Sequence, residues 1–195
     1  MEGKKVYICQ IFICLAISIL AMVIPLFFKN YTMFEIICYS FFSLFLVIGA
    51  TIDKLYYILP DEGALALTII GIVYSIGEQY AVIDTCIHVS IVACISVALR
   101  MLSKGGLGWG DIKWISAISI WLTGIQILVM VYVSFLTSIL YLAGLYITRN
   151  SRSRYIPFGP FLCIGAWSSL HFYNLWEALY WCLIQHIQIT VMALY

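Results

Sequence analysis

Two acidic residues stand where carboxylate chemistry is possible in an otherwise apolar chain. Asp53 closes a long apolar run with Thr51 and Lys54 beside it, and Asp111 follows Gly-Gly-Leu-Gly-Trp-Gly directly and opens another run. Each has an ordinary reading. Asp53 could mark a water boundary, paired to Lys54 or Arg100. Asp111 could be a helix N-cap, its carboxylate satisfying open backbone N–H groups. A joint reading competes with both. Two carboxylates at one depth and on one face of a helix bundle can share a proton, because like charges a few ångströms apart do not both ionise cheaply. The charged member then takes a proton from water while the neutral one donates to a scissile carbonyl oxygen. That is aspartic peptidase chemistry.

The loop before Asp111 fits such a site. Gly105, Gly106, Gly108 and Gly110 admit backbone conformations closed to other residues and let the main chain approach a substrate. The run is not a phosphate loop, since both G-x-x-x-x-G-K-[ST] and G-x-G-x-x-G after a strand are absent. Lys113 either snorkels to an interface as an anchor or tunes the charge of the pair. The seven cysteines all fall in apolar runs without a CxxC spacing, so they read as small buried hydrophobes. Neither a metal nor a cofactor is expected.

The elements that must hold these residues follow from composition. The chain has 195 residues, 64% hydrophobic and 10% charged, with a mean hydropathy of +1.05. An average soluble domain is about 25% charged. A soluble protein and a separate soluble domain are both excluded on this reading. The expectation is an all-α polytopic membrane bundle of about seven or eight spans, at roughly 20 residues each, forming a single domain over 1–195. Candidate spans lie near 6–28, 32–52, 63–80, 82–99, 112–128, 131–147, 156–175 and 178–194. The first reads as a true span, because its apolar run is long and no small-x-small cleavage site follows. The stretch 112–147 is too long for one upright span and slightly short for two. A hairpin with one short helix and a turn somewhere in 122–130 is therefore expected.

Charge gives the orientation. The formal net charge of +1 offers no basic face for nucleic acid, so no nucleic-acid partner is expected. With a cytosolic amino end, Lys4, Lys5, Lys54, Arg100, Lys104, Lys113, Arg149, Arg152 and Arg154 fall on the cytosolic side, and only Lys29 falls outside. Short basic loops are retained on that face. Both aspartates then lie at the cytosolic membrane boundary.

Three segments now carry a resemblance. The first runs from Asp53 through a spacer to Leu59, Pro60 and Asp61. The second is Gly105 to Lys113, a G-G-x-G-x-G-D-x-K pattern. The third is Ile-Pro-Phe-Gly-Pro-Phe from Ile156, which includes Pro157, Gly159 and Pro160. In this order they resemble the type 4 prepilin peptidase family of membrane aspartic peptidases. The resemblance implies that Asp53 and Asp111 are the catalytic pair. It implies cleavage of a short basic leader after a glycine, at the cytosolic face of a bacterial cytoplasmic (inner) membrane. The implied partners are type IV prepilin or pseudopilin precursors, with membrane lipid around the bundle.

The larger family members also methylate the new amino end and carry a cytosolic domain with paired CxxC motifs. Here residues 29–35 link the first two spans directly, so a peptidase-only form is expected. Trp114 stands where the family commonly has Leu, and it could shape the cleft or anchor the helix at the interface. Asp61 reads as capping the next helix. Pro157, Gly159 and Pro160 read as a rigid break that lines the cleft or sets a helix entry. Tyr56, Tyr57, Trp109, Trp114 and Tyr155 read as an interfacial aromatic belt. Two rival functions remain at this point: an archaellin-type leader peptidase of the same fold, and a non-catalytic transporter or assembly scaffold. The two halves of the chain show no matching interrupted helices, which weighs against transport.

Overall fold

The structure is a computed structural model, and it describes residues 16–17, 19–21, 23, 31–79, 82–147 and 156–193. The described residues form seven bounded helices: α1 (Met33–Tyr56), α2 (Asp61–Gly77), α3 (Val82–Leu102), α4 (Trp109–Ser119), α5 (Gly124–Ile147), α6 (Gly159–His171) and α7 (Tyr173–Ala193). Residues 16–17, 19–21 and 23 are also helical. The expected first span falls mostly outside the described residues, as do Lys4, Lys5, Lys29, Arg149, Arg152, Arg154 and Tyr155.

Helix ends are set by local chemistry. Thr32 starts α1 with a capping box: its hydroxyl accepts from the Glu35 N–H at 3.2 Å, and its own N–H donates to the Glu35 carboxylate at 2.7 Å. At the other end Tyr57 turns left-handed (φ 58°), and its N–H donates to the Asp53 carbonyl at 2.8 Å. Pro60 then precedes α2 as its N-cap. The stretch 112–147 does split into a short and a long helix. α4 has 11 residues and α5 has 24, and the helix breaks over residues 120–123, at the early edge of the expected range. A single span over 112–128 is therefore not formed.

Among the described residues, three helices are long and apolar enough to cross a membrane: α1, α3 and α5. Their outward faces agree with that. On α3, Ile83, Ile87, Ile91, Ile95 and Leu99 form an exposed row at every fourth residue, a lipid-facing stripe that water would penalise. Cys86, Cys94 and Cys182 are exposed on helix faces, whereas Cys38 and Cys163 are buried. The expectation that the cysteines are buried hydrophobes is corrected for those three, because an apolar solvent makes no distinction between core and surface for a thiol.

The core lies where α1, α2, α4 and α6 meet. α1 packs on α2 and α6, α4 packs between α2 and α3, and α6 lies along α5. Trp114, Phe42, Leu67, Ile118 and Met130 are fully buried. Trp114 on α4 and Trp121 just past its end, seven residues on, donate to main-chain carbonyls on the α2 side: Trp114 Nε1 to Pro60 O and Trp121 Nε1 to Leu67 O, both at 3.0 Å. Small residues admit these rings. A Cβ on Gly49 of α1 would lie 2.0 Å from the Trp114 ring, and one on Gly63 of α2 would lie 2.7 Å from it. Trp114 thus bolts α4 to both helices from inside, which corrects the reading of it as a cleft wall or interfacial anchor. The α5–α6 seam is similarly close: a Cβ on Gly165 would meet Ser134 Oγ at 2.2 Å. Membrane helices associate through such small-residue contacts because lipid removes the hydrophobic drive between them.

Candidate active site

Asp53 occupies the last turn of α1 and is buried, although that helix is otherwise apolar. Its carboxylate is satisfied from across the fold: the Gly159 N–H donates to Asp53 Oδ2 at 2.7 Å. Gly159 is the first residue of α6, where backbone N–H groups are open and the helix dipole favours an anion. The contact is close enough that a Cβ on Gly159 would lie 2.6 Å from Oδ2. Asp53 therefore marks no simple water boundary paired to Lys54 or Arg100; its partner is a helix amino end.

Asp111 is the third residue of α4, with Gly108 at the N-cap position. The N-cap reading is corrected by three positions: the Asp111 carboxylate reaches back and accepts from the Gly108 N–H at 3.1 Å. A Cβ on Gly108 would lie 2.9 Å from that same oxygen, so this glycine is needed for close approach. Gly105 is needed for another reason, a φ of +91°. Asp111 lies outside the three long apolar helices. Burial pushes its carboxyl up from 3.8 to about 6, the Gly108 hydrogen bond opposes that rise, and the nearby Asp53 charge adds to it.

The two carboxylates line one polar cleft of about 440 Å³, together with Tyr57, Gly106, Ile156, Pro157 and Phe158. Of the residues singled out in the sequence, the fold brings Asp53, Asp111, Gly106 and Pro157 to this cleft. Gly108 and Gly159 stand behind it as the donors to the two carboxylates. Gly110 packs closely on Leu59, and Pro160 lines a separate apolar groove with Ala50 and Lys54 of α1.

Asp61 and Lys113 do something else. Lys113 Nζ donates to Asp61 Oδ2 at 2.6 Å in an exposed ion pair. Asp61 is the first residue of α2 and makes no side-chain cap, which corrects its capping role. Lys113 is paired with Asp61 and does not line the cleft that holds the two aspartates. Pro60 contributes the carbonyl that receives Trp114.

Three further residues line the cleft without having been candidate site residues: Tyr57, Ile156 and Phe158. Tyr57 was grouped with an interfacial belt, and nothing in the sequence signals its left-handed turn. Phe158 lies inside the Ile-Pro-Phe-Gly motif, so its signal was present.

Comparison with known proteins bears on this arrangement. Residues 40–145 match the model of the type IV leader peptidase family. The chain is 31% identical over 126 residues to the prepilin leader peptidase/N-methyltransferase of Aeromonas salmonicida, covering 61% of this chain and 43% of that protein. It is 31% identical over 133 residues to the protein of the same name from Xanthomonas campestris pv. campestris, covering 64% and 46%. The protein of that name from Neisseria gonorrhoeae is 25% identical over 151 residues, covering 74% and 52%. The chain thus matches about half the length of these curated relatives. No solved structure matches it.

Proposed function

The chain belongs to the type IV leader peptidase family, and from that premise we propose that it is a multi-pass membrane aspartic endopeptidase acting on prepilin-like precursors. The observation that carries the proposal is the shared cleft, in which Asp53 and Asp111 face one small volume and each accepts one backbone N–H. A water held between the carboxylates attacks the peptide bond. The ionised member accepts the water's proton, and the protonated member donates to the carbonyl oxygen as the tetrahedral centre forms. The raised pKa of Asp111, with Asp53 contributing to the rise, supports a pair that holds one proton in common; the pair titrates as a unit.

The site lies at the ends of α1 and α4, and an apolar groove of about 550 Å³ is lined by residues of the two helices that meet at the Asp53–Gly159 contact, among them Ala50, Lys54, Pro160 and Cys163. A substrate with an apolar helix and a preceding basic leader suits a site at such a boundary. The leader stays in water while the helix stays in lipid. By analogy with the relatives' printed names, the substrates are prepilins. The bond cut is the one after a leader glycine, on the cytosolic side of a bacterial inner membrane. The whole chain acts as one membrane domain.

The test is direct. Purified protein in detergent is incubated with a prepilin-like substrate, and the products are read by mass spectrometry. Cleavage after the leader glycine is expected. Asp53→Asn and Asp111→Asn should each lower the rate by at least about 1,000-fold while the protein still inserts in the membrane. An active variant at either position would sink the aspartic mechanism, and no cleavage by the unaltered chain would sink the peptidase reading.

A further inference from the structure

Arg100 lies at the end of α3, and its two halves hold opposite ends of the glycine loop. Its carbonyl accepts the Gly105 N–H at 2.9 Å, while the Lys104 N–H donates to Met101 O at 3.2 Å. These are the paired bonds of a Schellman closure, with Lys104 at φ 51° and Gly105 at φ 91°, and they depend on backbone alone. The side chain reaches further. Its Nη1 donates to the Leu107 carbonyl, and the guanidinium carbon sits 4.8 Å from the centre of the Trp109 ring. Leu107 and Trp109 flank Gly108, whose N–H holds Asp111. The loop between is exposed, and a Cβ placed on Gly105 would touch nothing within 4 Å. Its near end is also held by the Gly106 N–H, which donates to Ser103 O at 3.2 Å and Ser103 Oγ at 3.1 Å, while the Arg100 side chain ties its far end at Leu107 and Trp109.

We infer that the Arg100 side chain is a positioning residue for Asp111, locking the Leu107–Trp109 turn so that the Gly108 N–H stays aimed at the carboxylate. Arginine suits the task because its planar fork can donate in plane while its face lies on an indole. A basic residue kept only to anchor a helix end in the cytosol would need neither contact, and lysine would serve equally. The charged surroundings of Asp111 leave this tie as the adjustable one. Asp53 on α1 acts on it through its field, Asp61 on α2 is taken up by Lys113, and Arg100 on α3 acts through the loop.

The inference rests on the proposed peptidase activity for one of its two readouts. Arg100→Ala and Arg100→Lys are compared with the unaltered full chain in detergent. Amide hydrogen exchange should speed up by about tenfold or more across residues 105–111 in both variants, with α1 and α5 unchanged. The kcat should fall by about 10- to 100-fold with KM little altered. Losing the Gly108 hydrogen bond, which lowers the Asp111 pKa, should move the limb of the pH profile governed by Asp111 to higher pH. Adding Trp109→Ala to Arg100→Ala should cost little more, because both remove one contact.

Arg100→Lys with unaltered exchange and kcat would overturn the inference and leave a charge anchor, as would multiplying effects in the double variant. If Arg100→Ala does not fold, Arg100→Lys carries the same comparison. If the unaltered chain cleaves nothing, the peptidase reading fails while hydrogen exchange still decides the role of Arg100.

Discussion

Asp53 sits in the last turn of a 24-residue helix and takes its hydrogen bond from Gly159, 106 residues further along the chain. Asp111 is the third residue of an 11-residue helix and takes its hydrogen bond from Gly108, three residues before it. Both accept one N–H at a helix amino end, but Asp111 uses its own helix and Asp53 borrows one. The first arrangement forms wherever the local sequence forms; the second exists only when α1 and α6 are packed. The proposed chemistry, which needs both, would therefore be tied to the completed fold.

Joining the two settings is the task of Trp114, and its removal is the largest way to break them apart. Trp114→Ala should cost about 3–5 kcal/mol of stability, read as a lowered unfolding midpoint in detergent, with Trp114→Leu costing less. A midpoint left unchanged by Trp114→Ala would mean that α4 is held by other contacts.

Next in size come the two glycine donors. Gly159→Ala places a Cβ 2.6 Å from Asp53 Oδ2 within a buried contact, so the helix must shift and cleavage should fall by about 100-fold. Gly108→Ala meets Asp111 Oδ2 at 2.9 Å, but Gly108 has an ordinary φ of −70° and Asp111 is only partly buried. A loss of about tenfold is expected there. Equal losses at the two glycines would erase the distinction between a remote and a local tether.

A pH series sharpens the comparison further. Burial raises the Asp111 carboxyl from 3.8 to about 6, so between those values the folded protein holds a proton that the unfolded chain releases. Its contribution to stability is full below about pH 4 and is lost as pH rises through about 6. Asp111→Asn removes that loss and keeps an oxygen to accept from Gly108. The variant should be more stable than the parent by about 1–2 kcal/mol at pH 7, with no advantage near pH 4. Unfolding midpoints at the two pH values decide it, and an advantage independent of pH would exclude the titration as its cause.

The smallest effect belongs to the ion pair outside the cleft. Asp61 and Lys113 are 66% and 51% exposed, and such pairs contribute about 0–1 kcal/mol and weaken with salt. Asp61→Asn and Lys113→Gln should each leave cleavage within about twofold. A loss as large as that of Gly108→Ala would assign the pair a role in the site.

The sequence alone determined the solvent of this chain, because apolar residues at 64% cannot be covered by 10% charge. It also determined the helical class and the division of 112–147, and it placed Asp111 at a helix start, although as an N-cap and not as the third helical residue that accepts from Gly108. Tertiary structure decided the rest. Asp53 finds its partner only through α6, Asp61 takes Lys113 instead of capping, Tyr57 enters the cleft through a left-handed turn, and Trp114 leaves the expected interface for the core. The physical reason is range. Periodicity and capping act within one helix turn, whereas these four outcomes depend on which helices meet and how closely their glycines at 49, 63 and 159 let them approach.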